Sequence, residues 1–188
     1  VRLFVALDIP QAVREALTNV VRSLRDACPD ARWVRLEGVH VTLKFIGEVS
    51  PDLTGRIRET LPGVPPAPNV DLRFAGLGFF PTPRRPRVLW AGVEHSDALP
   101  ELAASIEARL EPLGIVREKR GFQPHVTLAR LDSARNLDAL RSAVEKLGRP
   151  EFGRATPAEF HLYRSLLKPG GAEYTRLASY RISTEPAH

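Results

Sequence analysis

One cysteine in 188 residues, Cys28, leaves no partner for an internal disulfide and no second thiolate at metal-ligand spacing. Long apolar runs are missing too, and none approaches the length needed to span a bilayer. The opening residues 1–8 are apolar, but Asp8 and Pro10 interrupt them and no small-residue cleavage pattern follows. A first strand is expected there rather than a signal peptide. Together these absences predict a cytoplasmic protein in a reducing compartment, with no membrane association. An excess of acid is also lacking: 27 Lys and Arg against 22 Asp and Glu give a net charge of +5, which favours a polyanionic partner such as nucleic acid.

The content that remains, 43% hydrophobic and 26% charged, is that of a globular chain long enough for one domain or for two lobes sharing a core. Residues 3–7 are a short apolar run ended by Asp8-Ile9-Pro10, the pattern of a buried strand. Apolar residues at Val13, Leu17, Val20, Val21 and Leu24 predict a helix over 11–28, stopped by Pro29. Helices are likewise predicted over 52–61, 97–113 and 136–147, each from an apolar stripe at three- to four-residue spacing. Strands are expected at 32–36, 39–49, 70–74, 88–93, 125–131 and 153–166, and a final one before 182. Seventeen prolines, many between Pro62 and Pro86, mark rigid connections, and residues 76–86 are expected to be a turn-rich basic link.

Four letters occur twice: His40-Val41-Thr42-Leu43 and His125-Val126-Thr127-Leu128. Side chains alternate along a strand, so each copy presents a histidine and a threonine on one face and buries two aliphatics on the other. The copies are 85 residues apart, and the same offset carries the strand at Leu3 onto that at Val88 and the helix at Ala12 onto that at Asp97. It also places Asp52 on Leu137, and the strand around Phe74 within a residue or so of that around Phe160. The expectation is an α+β fold, a single domain built from two internal repeats, 1–86 and 87–188, with the motif strands on either side of a shared cleft.

An imidazole titrates near neutrality, so two of them facing one bond can serve as base and acid in one turnover. Thr42 and Thr127 add hydroxyl donors, and Lys44 and Arg130 follow as cations. Strict alternation puts Arg130, five residues after His125, on the wrong face unless the strand bends. Such a set suits metal-free attack at phosphorus, with Thr42, Thr127 and Arg130 holding the equatorial oxygens. A zinc site is the competing use of paired histidines, but no carboxylate or cysteine recurs with them. His95 and His161 read as structural, Trp33 and Trp90 as core, and the cations at Arg84, Arg85, Arg87, Arg117, Lys119 and Arg120 as a solvated basic surface.

With these flanks, Gly38-Val39-His40-Val41-Thr42-Leu43-Lys44-Phe45 and Gln123-Pro124-His125-Val126-Thr127-Leu128-Ala129-Arg130, the chain resembles the RNA 2′,3′-cyclic phosphodiesterases, or 2′-5′ RNA ligases, of the two-histidine phosphoesterase superfamily. The likeness extends to Arg2-Leu3-Phe4-Val5-Ala6-Leu7, to Arg84-Arg85-Pro86-Arg87-Val88-Leu89-Trp90, and to Ser165-x-Leu167-x-Pro169-x-Gly171-Ala172-x-Tyr174. It implies a bilobal α+β fold with an antiparallel sheet in each lobe. It also implies hydrolysis of RNA 2′,3′-cyclic phosphate ends to 2′-phosphates, with possible 2′-5′ ligation, by a monomer needing neither metal nor cofactor. By the same likeness His125 is the base that activates water and His40 the acid that protonates the leaving oxygen, or the reverse; Phe45 stacks on the terminal base or shapes its pocket. Two other readings stand beside it: a non-catalytic RNA-end binding module, and a phosphodiesterase for another cyclic or 2′-5′ linked nucleotide.

Overall fold

The computed structural model describes residues 1–132 and 134–182, so the end of the second repeat, 183–188, lies outside the described residues. Nine strands run in the order β1 (Arg2–Leu7), β2 (Arg32–Trp33), β3 (Val41–Glu48), β4 (Leu72–Pro81), β5 (Pro86–His95), β6 (His125–Arg130), β7 (Glu151–Ala155), β8 (Glu159–Lys168) and β9 (Gly171–Arg181). Four helices separate them: α1 (Gln11–Arg25), α2 (Pro51–Thr60), α3 (Ala98–Leu110) and α4 (Leu137–Leu147). The helices form where the apolar stripes predict, burying Val13, Leu17, Val21 and Leu24 from α1 and Leu99, Leu102, Ile106 and Leu110 from α3. At the start of α2, the Ser50 hydroxyl accepts from the Leu53 amide at 3.1 Å, and Pro51 follows where its missing N–H is harmless.

The strands make two antiparallel sheets, β3-β1-β8-β9 and β2-β6-β5-β4-β7. Both sheets draw on both sequence halves, because β8 joins the sheet of β1 and β4 joins the sheet of β5. The helices cross in the same sense: α1 lies against β7 and α4, while α3 lies against β3 and α2. Each lobe therefore needs both halves of the chain, and the cut at 86/87 does not separate the lobes. The two sheets meet where β3 and β6 run beside each other. Among the described residues no helix is long and apolar enough to cross a membrane.

Three expectations need correction. Residues 76–81 are not a loop: β4 continues to Pro81, because Gly76 takes a φ of +80° where the pairing with β5 slips, and the strand resumes beyond it. A Cβ on Gly78 would sit 2.1 Å from the Trp90 ring, so glycine there lets the two strands pair around an indole. The strand expected at 32–36 is only the two residues of β2, since the chain turns through a short 3-10 helix at Leu36–Gly38 before reaching the first motif. The predicted strand over 153–166 is two strands, β7 and β8. In β8, Phe160, His161, Leu162 and Tyr163 are all buried, since the core covers one face and a cluster around Phe4 covers the other.

Candidate active site

On β1, Leu3, Val5 and Leu7 point into the main core, while Phe4 and Ala6 alternate onto the opposite face, the one that Asp8 borders just past the strand's end. That face is where His40 lies, one residue before β3 begins. Its ring packs 4.4 Å from Tyr163, 5.8 Å from Phe4 and 5.5 Å from Tyr174, centroid to centroid. A Cβ on Gly38 would touch Tyr174 at 3.1 Å, so the absence of a side chain there allows this aromatic wall to close. In the other sheet, the edge of Phe80 meets the His125 ring at 5.2 Å, and Phe80 in turn lies 5.3 Å from Trp90. Each imidazole is thus set among aromatic rings on its own sheet. The adjacency of β3 and β6 is what brings the two motif strands together.

The difficulty with Arg130 is resolved by a bulge. On β6, Thr127 pairs with Trp90, but Ala129 pairs with Leu89, leaving Leu128 as an extra residue. Leu128 and Ala129 are both buried, and Arg130 returns to the face of His125 and Thr127, opposite Val88. The same irregularity occurs 85 residues earlier: Ala6 pairs with Thr42 and Val5 with Lys44, leaving Leu43 extra. Phe45 thereby joins the face of Thr42, exposed, with the Arg2 guanidinium 5.3 Å above its ring. Lys44, at the position matching Ala129, turns inward instead. It is 2% exposed and donates to the Val116 carbonyl at 2.7 Å while pairing with Glu107 at 2.7 Å. It is not a cation of the site.

Several residues of this face carry no motif. Arg32 pairs with Arg130 across β2 and β6, which puts two guanidinium groups on neighbouring strands. Like charges placed opposite each other are unfavourable without a counter-ion, so this pair leaves positive charge on the face that an anion would offset. Asp8 accepts from the Tyr163 hydroxyl and from Arg176, and stands 3.9 Å from His40 Nε2 and 3.4 Å from His161 Nε2. His161 is buried with its Nδ1 2.8 Å from the Ser179 hydroxyl, a satisfied histidine that nonetheless borders the site. Trp90 is half-buried on this face rather than in the core, and its Nε1 has no hydrogen-bond partner among the described residues. The two-residue alternation of β1 is the signal that could have found Asp8. Tyr163 and Arg176 depend on pairing between distant strands. Trp33 does pack against the core, donating its indole N–H to the Cys28 carbonyl at 2.9 Å.

Burial lowers the His40 pKa to about 4, against the opposing pull of the Asp8 carboxylate. The imidazole is therefore neutral at pH 7 in the free site. Burial lowers His161 in the same direction. A histidine held neutral by the fold protonates more readily when unfolded, so its contribution to stability is intact above about pH 6.5 and is lost as pH falls toward 4. For His40 the loss amounts to roughly 3 kcal/mol. Urea melts between pH 7 and 4 should show this decline, and His40→Asn should flatten it; an equal decline in the variant would assign the effect elsewhere.

Two antiparallel sheets meeting along strands that each present a His-x-Thr face define a class, and residues 9–168 match the 2′-5′ RNA ligase superfamily. The chain belongs to that superfamily. A relative from Methanothermobacter thermautotrophicus, named RNA 2′,3′-cyclic phosphodiesterase, is 33% identical over 186 residues, covering 97% of this chain and 99% of its own. One of the same name from Aeropyrum pernix is 40% identical over 154 residues, 81% and 87% of the two chains. Among solved structures, that of Escherichia coli LigT complexed with 3′-AMP superposes with a TM-score of 0.75 at 28% identity, covering 98% of each chain. A Thermus thermophilus protein gives 0.77 at 28% identity, with 98% and 100% covered.

Proposed function

We propose that the chain is an RNA 2′,3′-cyclic phosphodiesterase that opens the cyclic phosphate at its 3′ oxygen and leaves a 2′-phosphate, using two imidazoles and neither metal nor cofactor. Water adds to phosphorus while His125 Nε2 takes its proton, the P–O3′ bond breaks, and His40 gives a proton to the departing O3′. The observation that carries this reading is the state of His125. Its Nδ1 lies 2.8 Å from the Gln123 carbonyl, which only accepts, so Nδ1 holds a proton and Nε2 is the ring nitrogen left to exchange one with the substrate. His40 begins neutral, and an arriving phosphate anion supplies the negative charge that lets it take up a proton.

Thr42, Thr127 and Arg130 share the faces of the two histidines and would hold the phosphate oxygens, with Arg32 beside Arg130 as a second cation. Phe45, exposed and on the same face, offers a stacking surface for the terminal base. One chain carries both motif strands, so a monomer suffices. Among the described residues no three His, Cys, Asp or Glu side chains converge as a metal-ligand set. An RNA 5′-hydroxyl in the place of water would form a 2′-5′ linkage by the same steps.

The deciding experiment incubates the protein with an RNA ending in a 2′,3′-cyclic phosphate, with chelator in excess, and identifies the product by phosphate position. A 2′-phosphate is expected at an undiminished rate. A 3′-phosphate, or loss of turnover to the chelator, overturns the reading.

A further inference from the structure

The repeat makes His40 and His125 near-equivalents by position, and both lean on a carbonyl two residues earlier, Gly38 and Gln123. Their surroundings differ in one respect. Asp8 Oδ1 accepts from the Tyr163 hydroxyl and stands 3.9 Å from His40 Nε2; Oδ2 accepts from Arg176 and stands 3.4 Å from His161 Nε2. By strand pairing, the positions matching Asp8, His161 and Tyr163 in the other half are Gly92, Gly78 and Phe80, none of them ionisable. The Trp90 ring fills the space that a side chain at Gly78 would occupy. One imidazole has a clamped carboxylate beside it; the other has aromatic rings.

We infer that Asp8, clamped by Tyr163 and Arg176 and flanked by His161, is a positioning residue that makes His40 the proton donor of the pair. The inference rests on the acid–base reading above. An imidazolium is favoured by a carboxylate at ion-pair distance, and the carboxylate must be held to do it, because Asp8 is 38% exposed and would otherwise swing into water. The Tyr163 hydroxyl and the Arg176 guanidinium, one on each oxygen, prevent that rotation. The groups facing His40 divide by element. Asp8, just past the end of β1, favours its charged form. Arg14 on α1, fixed by the carbonyls of Leu36 and Ile9, opposes it, as does His161 on β8, while Arg176 on β9 is paired to Asp8. Tyr163 and Tyr174 are neutral walls. Asp8 is the one anion in this set of described residues. It stays ionised throughout: the proton passes from His40 to O3′ and is regained from solvent.

Asp8→Asn keeps the shape and removes the charge. Histidine ¹⁵N NMR would follow His40 and His125 from about pH 8 to about pH 2.5, in the free protein and again saturated with adenosine 2′-monophosphate. The pH dependence of kcat on RNA 2′,3′-cyclic phosphate would be measured alongside. The His40 midpoint is expected to fall by about one pH unit while His125 stays, and the alkaline limb of kcat to move down with it. An unmoved His40 midpoint, or equal movement of both histidines, overturns the inference. Tyr163→Phe, which frees one carboxylate oxygen, serves if Asp8→Asn does not fold; a smaller shift in the same direction is expected and none overturns. Absence of turnover in the wild type would count against the proposed reaction, whereas the titration of the free protein still reads the coupling of Asp8 to His40.

Discussion

His125→Ala is expected to lower kcat on a nucleoside 2′,3′-cyclic phosphate by about 10²- to 10⁴-fold with the fold retained, and His40→Ala by a similar factor. His125 sits at the start of β6 with an intermediate exposure, so its removal opens the face without disturbing the aliphatic side at Val126 and Leu128. His40 is the more deeply set, among Phe4, Tyr163 and Tyr174, and His40→Gln is the better control for packing there. Base and acid act in one transition state, so the double variant should be only a few-fold slower than the worse single one. Steady-state rates, with circular dichroism to verify folding, check all three. Full activity in either single variant would remove the two-imidazole mechanism.

Lys44→Met is expected to destabilise the protein by about 3–5 kcal/mol with little direct effect on the chemistry. Lys44 lies on the core side of the β3 bulge, and Glu107 on α3 faces it with a side chain only 14% exposed. Taking away the ammonium strands that carboxylate, whose Oε2 already lacks a hydrogen-bond partner among the described residues, and frees the Val116 carbonyl. Adding Glu107→Leu should recover most of the loss, since two buried charges replaced by apolar groups often cost nothing. Urea denaturation of the two singles and the double measures the coupling; a Lys44→Met protein as stable as wild type would show that the pair contributes nothing.

This pair marks a limit of reading residues one at a time. Lys44 follows Thr42 by two positions, and strict alternation makes it a cation of the site. The bulge at Leu43 reverses that assignment, and the matching bulge at Leu128 rescues Arg130. A bulge is a property of a strand pair, fixed by what lies opposite, so neither could be placed from β3 or β6 alone. The same holds for residues 76–81, where glycines that read as turns instead let β4 bend and pass close to Trp90. The helices were legible because the 3.6-residue stripe is local, and they form within a few residues of the predicted limits.

The sequence by itself determined that a His-x-Thr pair occurs twice at an interval of 85 residues, that each opens or immediately precedes a strand with an aliphatic reverse face, and that the surrounding elements alternate as an α+β chain. Those are facts of spacing, and spacing within a strand or a helix fixes which residues share a face. Only the tertiary structure decided that the halves exchange strands, that Phe45 and Arg130 share the faces of Thr42 and Thr127 while Lys44 does not, and that Asp8, the Tyr163 hydroxyl and Arg176 gather beside His40, where the other half sets Gly92 and Phe80 by His125. The physical reason is that these depend on pairing between distant parts of the chain, β1 with β8 and β8 with β9 folding back, and no local periodicity encodes which distant carboxylate, hydroxyl and guanidinium will meet.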